Sequence, residues 1–327
     1  MSTMIPDSRP ASAAPADRPE PRDWRIAVLI PCFNEEAAIG RVVRDMRAAL
    51  PGAAIHVYDN NSTDRTVAVA REAGAIVRRE TLQGKGHVVR RMFADVEADV
   101  YLLVDGDDTY EAAAAPAMVR LLLDEQLDMV NGVRVSEAAA AWRRGHVLGN
   151  TVLSGLVRWL FGDRVRDILS GYRAFSRRFV KSFPALASGF ETETEFTVHA
   201  LELDMPVGEV PVRYKDRPAG TASKLRTYSD GLRILRAILL LVKEQQPLLF
   251  FSVAGLALLL LGVGLAVPVF VDFLQTGLVP RLPTAVLSAA LVLLAFLSLA
   301  CGLILDSVAR GRKEAKRLAY LRIPALV

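Results

Sequence analysis

Residues 25–36 read Arg25-Ile26-Ala27-Val28-Leu29-Ile30-Pro31-Cys32-Phe33-Asn34-Glu35-Glu36. Five apolar residues in a row, Ile26–Ile30, stop at a proline and give way to polar residues. An uninterrupted apolar run closed in this way is the mark of a strand buried on both faces of a parallel sheet. The pattern then alternates. Ile39, Val42, Val43, Met46 and Leu50 recur at helical spacing. A second strand is predicted over Ile55–Tyr58, a helix over Thr66–Ala73 ending at Gly74, and a third strand over Ala75–Val77. A helix over Val88–Val96, a strand over Val100–Val104, a helix over Pro116–Leu127 and a strand over Met129–Val135 follow. Strands alternating with helices predict an α/β unit: a mainly parallel sheet with helices on both faces. Such sheets take their ligands at the carboxyl ends of the strands.

The far end of the chain reads differently. Leu248–Val271 is 24 residues without a charge and Thr284–Leu305 is 22 more. Each exceeds the ~20 residues that cross a bilayer core as a helix. Together with 52% hydrophobic residues, they exclude a purely cytosolic protein. Residues 1–214 carry 26 Lys+Arg against 30 Asp+Glu, a balance of −4, and residues 215–327 carry 14 against 6, or +8. The basic excess flanks the apolar runs, which reads as attraction to anionic lipid and not as a nucleic-acid footprint. Leu232, Leu235, Ile238, Leu239 and Val242 share one helical side with Arg233, Arg236 and Lys243 nearby, the pattern of an interfacial helix. Five Lys/Arg precede the first run and six follow the second, whereas the link between them holds only Arg281. The positive-inside rule then puts both flanks in the cytoplasm. The expected layout is a disordered tail (1–24), a cytoplasmic domain (25–226), a juxtamembrane amphipathic helix (227–246), two spans (247–271 and 284–306) and a cytoplasmic basic tail (307–327). The expected location is a bacterial-type inner (plasma) membrane.

Several classes drop out. Residues 1–23 hold five prolines and no apolar core, so they are not a signal peptide. Cys32 and Cys301 cannot build a disulfide scaffold, and the four histidines lack zinc-ligand spacing. Neither GxGxxG after the first strand nor GxxxxGK[ST] occurs.

Acidic residues gather where strands end. Glu35 and Glu36 follow the first strand, Asp59 ends the second, and Asp105-Gly106-Asp107-Asp108 ends the fourth. Any one of them is compatible with a turn or a helix cap. Three carboxylates within four residues repel one another unless a cation sits between them. Hard oxygen ligands at the mouth of a sheet suit Mg²⁺ or Mn²⁺ bridging to substrate phosphates.

The ordered set Ile30-Pro31-Cys32-Phe33-Asn34-Glu35-Glu36, Asp59-Asn60-Asn61-Ser62-Thr63-Asp64, Gly84-Lys85-Gly86 and Asp105-Gly106-Asp107 resembles the signature of family 2 glycosyltransferases, with the Rossmann-like GT-A fold. Asp167–Phe175, Gly189–Glu195 and the segment Arg217–Lys224 are similar to the branch of dolichol-phosphate mannose synthase and bacterial polyprenyl-phosphate glycosyltransferases, some with the same two-helix anchor. The resemblance covers about residues 25–310.

It implies an inverting transfer of one sugar from a UDP- or GDP-sugar to a polyprenyl phosphate. Pro31, Asn34, Glu35, Asp59 and Asn61 would frame base and ribose. Lys85, between two glycines, would approach the nucleotide, and Asp105 and Asp107 would hold the divalent cation on the diphosphate. Arg166, Ser170 and Arg173 would grip the acceptor phosphate. Arg217, Lys224 and Arg226 lie where a lipid headgroup arrives, although ordinary membrane attraction accounts for them equally. Glu191 and Glu193 would move a proton or orient an arginine, and the same Glu-Thr-Glu-Thr-Glu run also suits a helix start. Self-association is left open. Leu148 stands where some relatives have an arginine before Gly149-Asn150, with Arg143, Arg144 or His146 as substitutes, and Thr109 does not identify the sugar. A hydroxyl acceptor is the alternative. The Gln-x-x-Arg-Trp motif of processive synthases is absent, since Gly155 takes the first position before Arg158-Trp159. A non-catalytic anchored binding module is disfavoured by the intact aspartate pair.

Overall fold

The computed structural model describes residues 24–135, 155, 164–186, 189, 191–215, 240 and 242–325. Strands β1 (Ile26–Cys32), β2 (Ala54–Asp59), β3 (Ile76–Arg79) and β4 (Val100–Leu103) alternate with helices α1 (Ile39–Ala49), α2 (Thr66–Glu72) and α3 (Lys85–Asp95). A 3₁₀ turn (Ala112–Ala114) leads into α4 (Ala115–Asp124) and β5 (Met129–Val135). β6 (Arg173–Ser176), α5 (Arg177–Ser182), α6 (Thr192–Glu202) and β7 (Val207–Arg213) complete the sheet. The strand order is β3-β2-β1-β4-β6-β5-β7. All pairings are parallel except the two made by β6, which runs antiparallel between β4 and β5.

Alternation along β1 separates two cores, because successive side chains point to opposite faces. Ala27 and Leu29 join a cluster with Tyr58, Phe93, Phe175 and Phe196 on one face. Val28 and Ile30 join Ile39, Val43, Met46 and Met118 on the other. Phe93 packs edge-on against Tyr101, Phe175 and Phe183 with ring centroids 5.9–6.3 Å apart. Each such buried side chain contributes roughly 1.5–3 kcal/mol.

Two departures from the sequence expectation bear on the site. β6 lies within the segment that carries the acceptor motif; its four residues are all buried and it lies inside the sheet between β4 and β5. Helix α3 begins at Lys85, three residues earlier than its apolar periodicity indicates. Gly84 makes this entry with φ +133°, a conformation that a side chain strongly disfavours.

Beyond β7, α7 (Pro247–Thr276) and α8 (Leu282–Leu321) form an antiparallel hairpin. Both are long and apolar enough to cross a membrane, with mean hydropathy 2.6 and 2.5 over their most apolar stretches. Only 11% and 17% of those stretches are covered by protein, which argues against core helices of a soluble domain. Ser288 and Ser298 hydroxyls donate to the Gly262 and Phe251 carbonyls, 2.8 Å each, and tie the two helices together. α8 continues 15 residues past the expected span. The stretch expected to be a basic tail, 307–327, is helix as far as Leu321. Extending an established helix costs far less than starting one. The tail 1–23, Leu148 to Asn150, Arg217, Lys224, Arg226 and most of the expected juxtamembrane helix lie outside the described residues.

Candidate active site

The carboxyl ends of β1, β2 and β4 form one mouth. Its floor is a pair of stitched loops. The Asn34 amide N–H donates to the Ser62 hydroxyl (2.9 Å), the Asn34 side-chain oxygen accepts from Thr63 N–H (2.8 Å), and Glu35 N–H donates to the Thr66 hydroxyl (2.8 Å). Asn34 and Asn61 both have left-handed backbones, with φ 54° and 66°, which asparagine tolerates better than most residues. Asp59 is buried and accepts from Ser62 N–H. Asn61 donates to the Thr81 carbonyl (2.9 Å), so its amide serves the loop wall. Pro31 pairs with Tyr58 inside the sheet.

Asn60, the middle residue of Asp59-Asn60-Asn61, organises the mouth. Its side-chain NH₂ donates to the carbonyls of Glu80 (3.0 Å) and Leu82 (2.7 Å), and its oxygen accepts from Gly84 N–H (2.7 Å). Those bonds fix the approach to Lys85. The signal lay in the run Asp59-Asn60-Asn61, but sequence alone does not say which asparagine turns inward.

Lys85 reaches across the mouth. Its ammonium lies 2.5 Å from Asp105 Oδ1 and 2.5 Å from Glu193 Oε1. Burial by itself would lower the Lys85 pKa; the charges of Asp105 and Glu193 outweigh it and push the pKa up. Asp105 is pushed the other way from an ordinary ion-paired carboxylate: burial raises it, Lys85 opposes, and Asp107 and Glu193 raise it further. The second carboxylate oxygen of Glu193 is buried without a hydrogen-bond partner. Glu193 arrives on the first turn of α6, where acidic residues favour a helix N-terminus. Glu191, just before that helix, is exposed.

Asp107 is buried and accepts from the Thr109 hydroxyl at 2.6 Å. Asp108 turns away on a left-handed backbone (φ 57°) toward Arg41 at 3.1 Å and Lys215 at 3.7 Å. The aspartate loop is also joined to the end of β7. Lys215 N–H donates to the Thr109 carbonyl (2.8 Å), and Tyr110 bridges to Tyr214.

The acceptor-motif residues fall into two groups. Arg173 is fully buried. Its guanidinium donates to the carbonyls of Ser170 (3.0 Å) and Ile168 (2.6 Å) and to the Thr197 hydroxyl (2.8 Å). Burial lowers its pKa to about 10, which still leaves it charged at neutral pH. Ser170 is buried too and donates to the Gly132 carbonyl at 2.6 Å. Both residues hold the 165–173 loop from inside the core. The loop needs them because its carbonyls would otherwise be stranded in the core. Arg166 is exposed, with its backbone N–H on Glu209 (2.7 Å). Asp167 is clamped by Arg134 through two bonds of 2.7 and 2.8 Å. A side-chain carbon at Gly171 would collide with the Asp105 carboxylate unless that carboxylate moved.

The donor set suits a divalent cation that substrate completes. Two carboxylates (Asp105 and Glu193) share one ammonium, Asp107 is near enough to raise the Asp105 pKa, and one oxygen of Glu193 is unpaired. Among the described residues no three His, Cys, Asp or Glu side chains converge into a cage that would hold a metal unaided. Mg²⁺ and Mn²⁺ sites of the phosphate-transferring kind need only one or two carboxylates, with substrate oxygens supplying the rest.

Residues 27–182 match the family described as Glycosyl transferase family 2. Glycosyltransferase AglJ of Haloferax volcanii is 33% identical over 299 residues, spanning 90% of this chain and 98% of that one. The dolichyl-phosphate hexose transferase of the same organism is 29% identical over 221 residues, spanning 68% and 95%. Among solved structures, glucosyl-3-phosphoglycerate synthase from Mycobacterium tuberculosis in complex with Mn²⁺, UDP and glucosyl-3-phosphoglycerate aligns with TM-score 0.52 at 25% identity, over 68% of this chain and 80% of that one. A mainly parallel sheet with helices and an acidic mouth defines a GT-A glycosyltransferase. The chain belongs to glycosyltransferase family 2.

Proposed function

We propose that this enzyme transfers a single sugar from a UDP- or GDP-sugar to a polyprenyl phosphate, with inversion, at the cytoplasmic face of a membrane. One juxtaposition carries the reading. The aspartate loop is hydrogen-bonded to Lys215, the residue from which the chain runs through Arg217, Lys224 and Arg226 toward the apolar hairpin. The name of the dolichyl-phosphate hexose transferase relative supports a lipid-phosphate acceptor. The Mn²⁺ and UDP bound by the mycobacterial synthase support a divalent cation with a nucleotide donor.

Pro31, Asn34, Glu35, Asp59 and Asn61 frame the nucleoside, with Asn34 and Asn61 shaping the wall. Lys85 meets the diphosphate, whose negative charge competes for the ammonium now shared by Asp105 and Glu193. A divalent cation on Asp105 and Asp107 supplies Lewis-acid stabilisation of the leaving nucleoside diphosphate. The acceptor phosphate has a second pKa near ~6, so its oxygen is already anionic at neutral pH and needs little help from a base. Arg166 gathers that phosphate from the surface, and Glu191 is the carboxylate left to move a proton or orient an arginine. In-line attack on the anomeric carbon inverts its configuration. By the positive-inside rule, the basic flanks support a cytoplasmic catalytic domain and a cytoplasmic end of α8.

The test is a screen of UDP- and GDP-sugars with detergent-solubilised protein, undecaprenyl phosphate and Mg²⁺ or Mn²⁺. A glycosylated product extractable into organic solvent is expected from one donor. Folded protein that yields none from any donor overturns the acceptor; more than one sugar per lipid overturns the single transfer.

A further inference from the structure

The basic end of α8 is fastened to the catalytic domain. The Tyr320 hydroxyl donates to Asp128 Oδ2 at 2.7 Å. Asp128 is fully buried and its other oxygen accepts from the Ser176 hydroxyl (2.6 Å) and Arg178 Nε (2.5 Å). The Arg178 guanidinium also lies 4.8 Å from the centre of the Tyr320 ring. One turn earlier, Lys316 donates to Glu202 (2.7 Å) and Arg317 to Asp204 (3.2 Å). Arg312 reaches the Glu244 carbonyl (3.0 Å), three residues before α7 begins. A free tail helix has no need to bond a buried carboxylate that Ser176 of β6 and Arg178 of α5 also hold.

The place of this clamp on the sheet is informative. Ser176 pairs with Val100, the first residue of β4, and Asp128 precedes β5 at the same level. The clamp therefore holds the base of the sheet, whereas Asp105 lies five residues up β4, about 16 Å away at strand rise. From Asp306, the first charge after the second apolar run, to Leu321 is about 24 Å at helical rise. A helix leaving the bilayer and gripping the base at its far end has the length to return the mouth to the bilayer surface. Lys215, whose N–H donates to the Thr109 carbonyl, lies at that same mouth.

We propose that residues 307–321 of α8 are a strut that holds the catalytic mouth against the bilayer, with Tyr320, Lys316, Asp128 and Glu202 as positioning residues for a membrane-borne acceptor. The proposal rests on the lipid-phosphate reading above. A strut raises the effective concentration of mouth and headgroup without touching either substrate.

The test uses the full chain in nanodiscs of phosphatidylethanolamine and phosphatidylglycerol, in a Cys301→Ala background. A fluorophore on Leu82→Cys, an exposed position beside the mouth, reports energy transfer to headgroup-labelled lipid. Wild type should give a short, narrow distance; Lys316→Glu and Tyr320→Ala should lengthen and broaden it, and Lys316→Glu with Glu202→Lys should restore it. Turnover of undecaprenyl phosphate in nanodiscs should fall about tenfold in the single variants, with farnesyl phosphate in detergent changed less than twofold, because effective concentration is lost and chemistry is not. Unchanged distances, or equal losses with both acceptors, overturn the strut. If wild type glycosylates neither phosphate, the functional reading falls and the distances alone decide the strut.

Discussion

The first four strands and the last three build their ends of the sheet differently. From β1 to β4 each strand hands its polar residues to the loop that follows, and those residues bond to neighbouring loops around an open mouth. Around β5 and β6 several polar residues turn inward. Arg173, Ser170 and Asp128 are as buried as the phenylalanines beside them, and their partners are carbonyls and hydroxyls of the core. The same residue types therefore do opposite work. A carboxylate at the end of β4 is available for chemistry, and a carboxylate at the start of β5 fastens two elements together.

The comparison breaks most visibly at Asp107. Asp107→Ala should reduce turnover by about a thousandfold, or ~4 kcal/mol of transition-state stabilisation. The melting temperature should fall only slightly, since the two bonds to Thr109 are local ones within the loop. Sugar-nucleotide consumption and a thermal melt on one preparation check it. A collapsed fold with normal specific activity in the surviving fraction would make the mouth a scaffold like the other half. Arg173→Met should show the reverse pattern. Stranding three oxygen partners of a buried cation costs about 3–5 kcal/mol of stability. The fraction that stays folded should keep its KM for the acceptor, as read from melts and initial rates.

Most of the donor half was legible because its information is contiguous. Ile26–Ile30 fixes a strand, Pro31 ends it, and the acidic residues follow within a few positions. Lys85 meets Asp105 and Glu193, residues 20 and 108 positions further along the chain. The acceptor half was less legible for a physical reason: its bonds join residues far apart. Tyr320 meets Asp128 across 192 positions and Lys316 meets Glu202 across 114. No periodicity reports such pairs. β6 was hidden for a related reason, since a four-residue strand between two neighbours carries too little pattern to show its direction. The seam between loop and core also decided Arg173, whose motif neighbours look equally suited to gripping a phosphate.

A third measurement follows α6, which carries Glu193 to the mouth and His199 to the core. Burial, reinforced by the charge of Lys316, pushes the His199 pKa down to about 3. An unfolded histidine titrates near ~6.5. Between those values the unfolded chain binds the extra proton, so stability rises with pH from about 3 to 6.5 and is flat above. The full effect is on the order of a few kcal/mol. Carboxylates with lowered pKa, such as Asp99 beside Arg25, give a slope of the same sign at lower pH. The diagnostic quantity is thus the difference between wild type and His199→Gln, whose melting temperature should vary less between pH 5 and 7. Equal slopes would mean that the imidazole is hydrated in solution.

Arg166 sharpens the contrast with Arg173 most finely. Its side chain is 82% exposed and its guanidinium is 3.9 Å from Glu209. An exposed charge pair of this kind is worth little, and removing it leaves no buried partner stranded. Arg166→Ala should therefore leave the melting temperature in place and raise the acceptor KM about two- to fivefold, with kcat unchanged, as expected for one solvated contact to a phosphate. Because screening weakens solvated charges, the gap between wild type and variant should narrow as salt rises from 50 to 300 mM, roughly as the Debye length shortens. A variant that loses kcat instead would place Arg166 at the reacting phosphate during attack, and the acceptor half would then hold chemistry as well as scaffold.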